Sequence, residues 1–510
     1  MLSIEKLHFQ LSSKSPNSLP NTSPVKPPNK SSLSIEQLSL EKGESLLVLG
    51  DNASGKSVLA QILAGEITNY QGSVTLTEKF TTLSFELEAQ TLAQDRLNDR
   101  SDYMEGAVDN GRTAREIIID DNPFLQKDLE EIVALLAIEK LLEKPFKILS
   151  TGETRKILMA RALMLKPQVM LLDEPYAGLD IGSQAHLSSV LNSLVAQGVS
   201  IILFDFYHQS LPSSIENLIY MQKGKIILSG KRKEIIASEQ WQQLNESHYS
   251  LPHHLPDCLT YDSLEKNKTL VSVNNVSVSF DQKPIFNALN WQFEQGQHWR
   301  IIGPNGCGKS TLLAMISGDS PKAYGKDIHL FGVKRGSGES IWDIKRHYGL
   351  VSAQLHRDYR VSTTLIKVVL SGFYDSIGLY DSPSRQQVII ARQWLVLLGL
   401  EQHENTYFNQ LSYGEQRLVL IARAVVKLPM ILILDEPCQG LDNHNREKVL
   451  ALMDYIAANS KTHLLFVSHD LRDQLKCITH ELEFVRQSSD KILASDGENI
   501  LGYIAKTTKK

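Results

Sequence analysis

Two eight-residue runs, "GDNASGKS" at 50–57 and "GPNGCGKS" at 303–310, share the spacing G-x-x-x-x-G-K-[ST]. That spacing suits phosphate. Glycines let backbone N–H groups curl round an anion, the lysine reaches the terminal phosphates, and the hydroxyl serves a divalent cation. The candidate phosphate-binding residues are Gly50, Asn52, Gly55, Lys56 and Ser57, then Gly303, Asn305, Gly308, Lys309, Ser310 and Thr311. Each run is followed by an apolar stretch ending Asp-Glu, "VMLLDEP" at 169–175 and "LILDEP" at 432–437. Asp173 and Asp435, with Ser57 and Ser310, are the candidate Mg²⁺ ligands. Glu174 and Glu436, one residue on, are placed to polarise an attacking water. The chemistry implied is Mg²⁺-assisted hydrolysis of a nucleotide such as ATP.

Elements of one kind must position these groups. "ESLLVLG" and "QHWRIIG" are short apolar runs ending at the glycine loops, and "KSVLAQILAG" and "KSTLLAMISG" continue as apolar-periodic helices. The order is strand, loop, helix. "VMLLD" and "MILILD" read as buried parallel strands, followed by the strand-like runs "VSIILFDF" and "THLLFVSH".

The motifs occur twice in the same order, so the chain is a duplication. "LSTGE" at 149–153 answers to "LSYGE" at 411–415, and "GLD" at 178–180 to "GLD" at 440–442. The phosphate runs are offset by 303 − 50 = 253 residues, whereas 412 − 150 and 442 − 180 both give 262. The second copy therefore carries a net nine extra residues between its glycine loop and "LSYGE". Expected domains are 1–230 and 270–510, with residues 231–269 as a helix and then a linker. A Ser-, Pro-, Asn- and Lys-rich stretch at 12–32 reads as a mobile loop between two early strands, with a basic partner-binding role as the alternative.

Composition excludes several classes. With 42% hydrophobic and 22% charged residues the chain is of ordinary globular type, and its net charge of −5 offers nucleic acid no electrostatic footprint. Direct nucleic-acid binding is not expected. The four cysteines form no C-x-x-C pair, which removes zinc and disulfide frameworks and fits a reducing cytoplasm. "MLSIEKLHFQ" lacks the basic and continuous apolar regions of a signal peptide, and no run of about 18 uncharged apolar residues occurs.

Taken together, "LSTGE", "LSYGE", the glycine loops, the Asp-Glu strands, the "GLD" loops and "LLFVSHD" resemble the ATP-binding cassette (ABC) superfamily over nearly the whole chain, twice. The tandem order, "LSTGETRK" and "RGSGESIWDIKRHYGLVS" narrow the resemblance to a molybdenum-transport branch. It implies an α/β fold of two tandem P-loop nucleotide-binding domains, each with a mixed β-sheet core and a helical subdomain, roughly 85–165 and 350–425. It implies ATP and Mg²⁺, and two cassettes that pair within one chain. Each phosphate loop then faces the other half's signature, Ser150 and Gly152 or Ser412 and Gly414. It also gives His469 a task, bonding the γ-phosphate and orienting water as a catalytic group beside Glu436.

Departures from the family pattern matter here. Laying "IILFDF" over "LLFVSH" puts Phe206 where the second half has His469. A phenyl ring cannot make that hydrogen bond, and His208 could replace it only from a bulged strand end. The family's Mg²⁺-sensing glutamine falls one residue late in "LVSAQ", at Gln354, and the first half offers Glu86. Phe280 is the candidate adenine-stacking aromatic of the second half, and Phe9 that of the first. The aromatics of "SGFYDSIGLY" at 371–380 read either as a docking surface or as a local core cluster.

Three tasks are open to such an ATPase. It could be the energy-coupling subunit of an importer, docking on separately encoded membrane permease subunits from the cytoplasmic face. It could be a soluble tandem ATPase acting on ribosomes or another assembly, although that class uses a long basic linker and residues 231–270 hold five Lys/Arg against six Asp/Glu. A DNA-repair ATPase would need zinc-binding cysteine pairs that are missing. The first fits best, with the site of Lys309, Asp435, Glu436 and His469 expected to hydrolyse ATP faster than that of Lys56, Asp173 and Glu174.

Overall fold

The computed structural model describes residues 2–10, 32–83, 111–119, 126–149, 151–177, 179–206, 211–245, 254–256, 269–280, 283–468, 470, 472–486 and 502–510. The chain divides into two compact units, Met1–Ser247 and His248–Lys510.

In the first unit β1 (Leu2–Gln10), β2 (Ser32–Leu40) and β4 (Gln71–Leu76) form an antiparallel sheet in the order β2-β1-β4. β1 pairs with β2 from Leu2↔Leu40 to Gln10↔Ser32. Residues 12–31 of the Ser/Pro-rich stretch lie outside the described residues. The chemistry-bearing strands lie in a second sheet, made of β3 (Leu46–Gly50), β5 (Phe80–Leu83), β6 (Val169–Asp173), β7 (Ser200–Asp205), β8 (Asn217–Gln222) and β9 (Lys225–Lys231). Their order is β5-β6-β7-β3-β8-β9, parallel except for β8 against β9.

β3 and β7 are buried from end to end, which is why they read as unbroken apolar runs. Successive side chains feed two cores on opposite faces. Leu47 and Leu49 pack with Ile117, Phe146 and Ile157 of the helical region, while Leu46 and Val48 pack with Leu2, Ile4 and Leu59. That region holds helices Ala114–Ile119, Gln126–Leu136 and Thr151–Met164. Beyond Lys231, helices Arg232–Ala237 and Glu239–Asn245 bury Ile235 and Trp241 in the same core.

The second unit has β10 (Thr269–Phe280), β11 (Lys283–Glu294), β12 (Trp299–Ile302), β13 (Ile328–Leu330), β14 (Val333–Lys334), β15 (Tyr348–Ser352), β16 (Ile431–Asp435), β17 (His463–Val467), β18 (His480–Arg486) and β19 (Tyr503–Lys509). They make one sheet in the order β14-β13-β10-β11-β19-β18-β12-β17-β16-β15. Its parallel part, β12, β15, β16 and β17, repeats the arrangement of the first unit. Leu432, Leu434 and Phe466 face helices Leu365–Ser371, Arg385–Leu397 and Tyr413–Val425, and Ile301, Ile433 and Val467 face the other way. The mixed sheets with helical regions are the α/β architecture expected.

In the 371–380 segment Phe373 and Leu379 pack on this core, while Ile377 and Tyr380 are 47% and 82% exposed. Buried Arg423 pins the segment, donating to Ser371 Oγ (3.1 Å) and Ser376 O (2.8 Å). Among the described residues no helix is long and apolar enough to cross a membrane.

Candidate functional site

Gly50 ends β3 and Gly303 follows β12, so each phosphate loop leaves the C-terminal end of a parallel strand. Helices Lys56–Leu63 and Lys309–Ser317 open on Gly55 (φ +98°) and Gly308 (φ +101°). A Cβ at Gly308 would stand 2.6 Å from Ile285 Cγ2, so only glycine turns the chain there. The leading amides of a helix lack intrahelical acceptors and carry partial positive charge, which suits phosphate oxygens. Lys56 and Lys309 are both buried and donate back to their own loops. Lys56 Nζ reaches Gly50 O (2.5 Å) and Asp51 O (3.1 Å), and Lys309 Nζ reaches Gly303 O (2.9 Å) and Pro304 O (2.8 Å). Burial lowers the pKa of Lys309, with Cys307, Glu436 and Asp435 opposing the shift. Ser57 and Ser310 are exposed in the first helical turn, each beside its lysine.

Asp173 and Asp435 end β6 and β16. The glutamates after them are left-handed, Glu174 at φ +49° and Glu436 at φ +51°. For a non-glycine residue this costs about 1–2 kcal/mol, and it is held because each donates its N–H across the sheet, to Phe204 O and to Val467 O, both at 2.9 Å. Identical strain at matched positions marks a functional turn.

Ser310 hydrogen-bonds to Asp435, and Ser57 lines one small depression together with Asp173. Mg²⁺ needs only one or two protein oxygens beside phosphate oxygens, so these hydroxyl and carboxylate pairs fit it. Burial raises the pKa of Asp435 against the pull of Lys309. Burial, and then Asp173, push Glu174 up to about 8 despite Lys56.

Strand register aligns the two switch positions. Asp173 pairs with Phe204 and Asp435 with Val467, so two residues further on stand Phe206 and His469. Phe206 turns its ring to the phosphate-loop lysine, with Lys56 Nζ 4.0 Å from the centroid. His469 lies outside the described residues, as do Ser150, His208 and Glu86.

Ser412 caps the helix Tyr413–Val425 through a capping box: its Oγ accepts from Glu415 N (3.3 Å) and donates to Glu415 Oε2 (2.7 Å). Gly414 packs on Asn445, whose side chain a Cβ there would overlap. Gly152 sits in the first turn of Thr151–Met164 against Leu179. Phe280 ends β10 45% exposed, with Lys322 Nζ 4.2 Å above its ring. Phe9 instead packs partly buried on the first unit's core. Gln354 is exposed at the start of helix Ala353–Asp358, two residues beyond Ser352, the strand partner of Asp435.

Sequence reading missed two supports. Tyr220 donates to Asp51 Oδ1 at 2.9 Å inside the first phosphate loop. Arg446, on helix Asn443–Asn459, pairs with Asp470 (3.0 Å) and Asp473 on either side of residues 471–472. The repeat offset gives no signal for the second, because Gln184 stands where Arg446 does.

The family profile described as "ABC transporter" matches residues 33–177 and 286–439, more than half of the chain. The chain belongs to the ABC transporter family. This ABC protein is a tandem-cassette ATPase, and domains of its kind bind ATP. It is 42% identical to the ABC transporter ATP-binding protein ModF of Escherichia coli (strain K12) over 459 residues, 89% of this chain and 94% of that protein. An uncharacterized ABC transporter ATP-binding protein, C323.04 of Schizosaccharomyces pombe, is 29% identical over 62% of this chain and 64% of its own length. Among solved structures, the fold is similar to an archaeal ribosome recycling factor, aABCE1, crystallised with the ribosomal stalk protein aP1. That match has a TM-score of 0.56 at 19% identity and covers 93% of this chain and 87% of that one.

Proposed function

We propose that this ABC ATPase is the energy-coupling subunit of a membrane transporter, and that its two ATP sites are unequal. The contrast at the switch carries the second part: Phe206 covers Lys56 in the first half, where the second half places His469 in a segment braced by Arg446. In the second half Glu436 orients the attacking water, His469 holds the γ-phosphate, and Lys309 and the loop amides bind the chain of phosphates. Mg²⁺ held by Ser310, Asp435 and Gln354, or by Ser57 and Asp173, would neutralise phosphate charge. In the first half Lys56 still binds, but Glu174, held protonated near neutrality by burial, is a poor acceptor for a proton from water. Ser150 and Gly152, or Ser412 and Gly414, present a hydroxyl and a helix start to the terminal phosphate.

Glu436→Gln is expected to lower turnover by about a hundredfold or more, and Glu174→Gln by less than about threefold. Abolition by Glu174→Gln with Glu436→Gln unaffected would reverse the assignment. Support for transport comes from the ABC transporter ATP-binding relatives, and molybdate is the solute that the sequence resemblance implies. Docking on separate permease subunits places the chain at the cytoplasmic face of the membrane. Pull-down of the tagged chain from gently solubilised membranes should recover an integral membrane partner. Recovery of ribosomes instead would move the assignment to the assembly-acting class.

A further inference from the structure

Neighbouring residues in the first turn of helix Asn443–Asn459 point at different parts of the catalytic machinery. Asp442 caps this helix, accepting from Asn445 N (2.8 Å) and from Asn445 Nδ2 (3.2 Å), which fixes the amide against signature Gly414. The next residue, Arg446, is buried and reaches the strand-end segment after β17. Its Nη1 pairs with Asp473 Oδ1 and lies 3.0 Å from Asp470 Oδ2. The other oxygen of Asp473 accepts from Ser468 Oγ at 2.5 Å, and that hydroxyl accepts from Asp470 N at 3.0 Å. Arg472 Nε completes the cluster on Asp470 Oδ1 at 2.8 Å. Ser468 and Asp470 are the two chain neighbours of position 469.

The first unit keeps the cap, and its described residues do not form the link. Asp180 accepts from Ser183 N at 2.8 Å, and Gln184, at the step of Arg446, turns back to Leu179 O at 2.9 Å. Among the described residues a Cβ at Gly152 would meet only Leu179 Cδ2, at 3.1 Å. The position of Ser468 is taken by Asp205, which accepts from Phe206 N at 2.7 Å, and counting on from Phe206 puts Ser210 where the second half has Asp473.

We propose that Arg446 is a positioning residue that ties the signature turn of the second half to its switch, so that Gly414, Asn445 and the backbone flanking position 469 move as one piece. The inference rests on the reading of the second half as the hydrolysing site. A buried guanidinium shared by buried Asp473 and partly exposed Asp470 cannot shift alone without leaving the Asp473 carboxylate short of its cation, so displacement of the helix start is passed to the switch segment. The described residues of the first half form no such tie.

The test is steady-state ATP hydrolysis by the purified full chain, with nucleotide binding and thermal melting measured on the same samples. Arg446→Gln should lower kcat by about tenfold or more and change KM for ATP less than about threefold. Because the single change strands buried Asp473, the paired variant R446Q/D473S, which copies Gln184 and Ser210, should melt within a few degrees of the parent and show the same kcat loss. Gln184→Ala should leave turnover within about twofold. A paired variant that keeps kcat within twofold, or that loses ATP binding in step with kcat, overturns the proposal. Glu436→Gln run alongside separates the two readings: if it leaves turnover intact, the hydrolytic assignment fails. If it abolishes turnover while R446Q/D473S does not, only the tie fails.

Discussion

Phe206 exchanges a hydrogen-bonding group for a ring whose face is already occupied by Lys56. A lysine over a phenyl ring gains about 0.5–2 kcal/mol, depending on desolvation. That interaction competes with phosphate for the same ammonium. Phe206→Leu keeps the volume and removes the quadrupole, so ATP should bind the first half about two- to tenfold more tightly. Nucleotide titration in a Glu436→Gln background reads this directly, and weaker binding would mean that the ring orients the lysine for phosphate. The side chains around it agree with a holding role. Burial and Asp173 raise the Glu174 pKa to about 8, which favours its protonated form near neutrality whatever stands at position 206.

At the scale of elements the difference is one of support. β7 and β17 hold the same place in their sheets, each between the strand ending in Asp and the phosphate-loop strand. β17 runs on into a segment braced by Arg446 of the helix Asn443–Asn459, whereas Gln184 at the matching step turns back to Leu179 O. Restoring the histidine alone should therefore fail: Phe206→His, assayed in the Glu436→Gln background, is expected to raise residual turnover less than about twofold, because Gln184 stands in place of the bracing Arg446. A large gain would show that the side chain suffices. The strands and loops were legible in the sequence because buried parallel strands read as unbroken apolar runs and glycine loops have a fixed spacing. The brace was not, since Arg446 and Asp473 are single polar residues on different elements, 27 positions apart, and only the fold brings them together. Helices Arg232–Ala237 and Glu239–Asn245 read as the start of a linker because their charged faces mask Ile235 and Trp241, the two side chains that the core takes up.

Across the molecule each unit owns two cores, one on either face of its sheet, so each contains what it needs to unfold as a cooperative body. The second has an acid-sensitive seam at the end of the sheet away from its phosphate loop. His298 and His463 stack at 6.0 Å, His298 Nδ1 accepts from Leu464 N (3.1 Å), and His463 Nε2 accepts from Gly296 N (2.8 Å). Burial, and then His463, lower the His298 pKa from 6.5 to about 4, and burial lowers that of His463. A depressed histidine stays neutral in the fold while the unfolded chain takes up protons. Stability of the second unit should thus fall as pH drops from 6.5 towards about 4 and level off below. Calorimetry from pH 7 to pH 5 should show its transition moving down, and His298→Asn should flatten the slope.

Trp241 is the one tryptophan in residues 1–247. Its indole meets Tyr220 edge-on at 5.6 Å, and the Tyr220 hydroxyl holds Asp51 in the first phosphate loop. The helix that closes the first unit therefore sets a fluorophore two contacts from the first phosphate loop. In spectroscopic terms the first unit carries its own optical label beside its phosphate loop, a means of watching nucleotide arrive there without waiting for product.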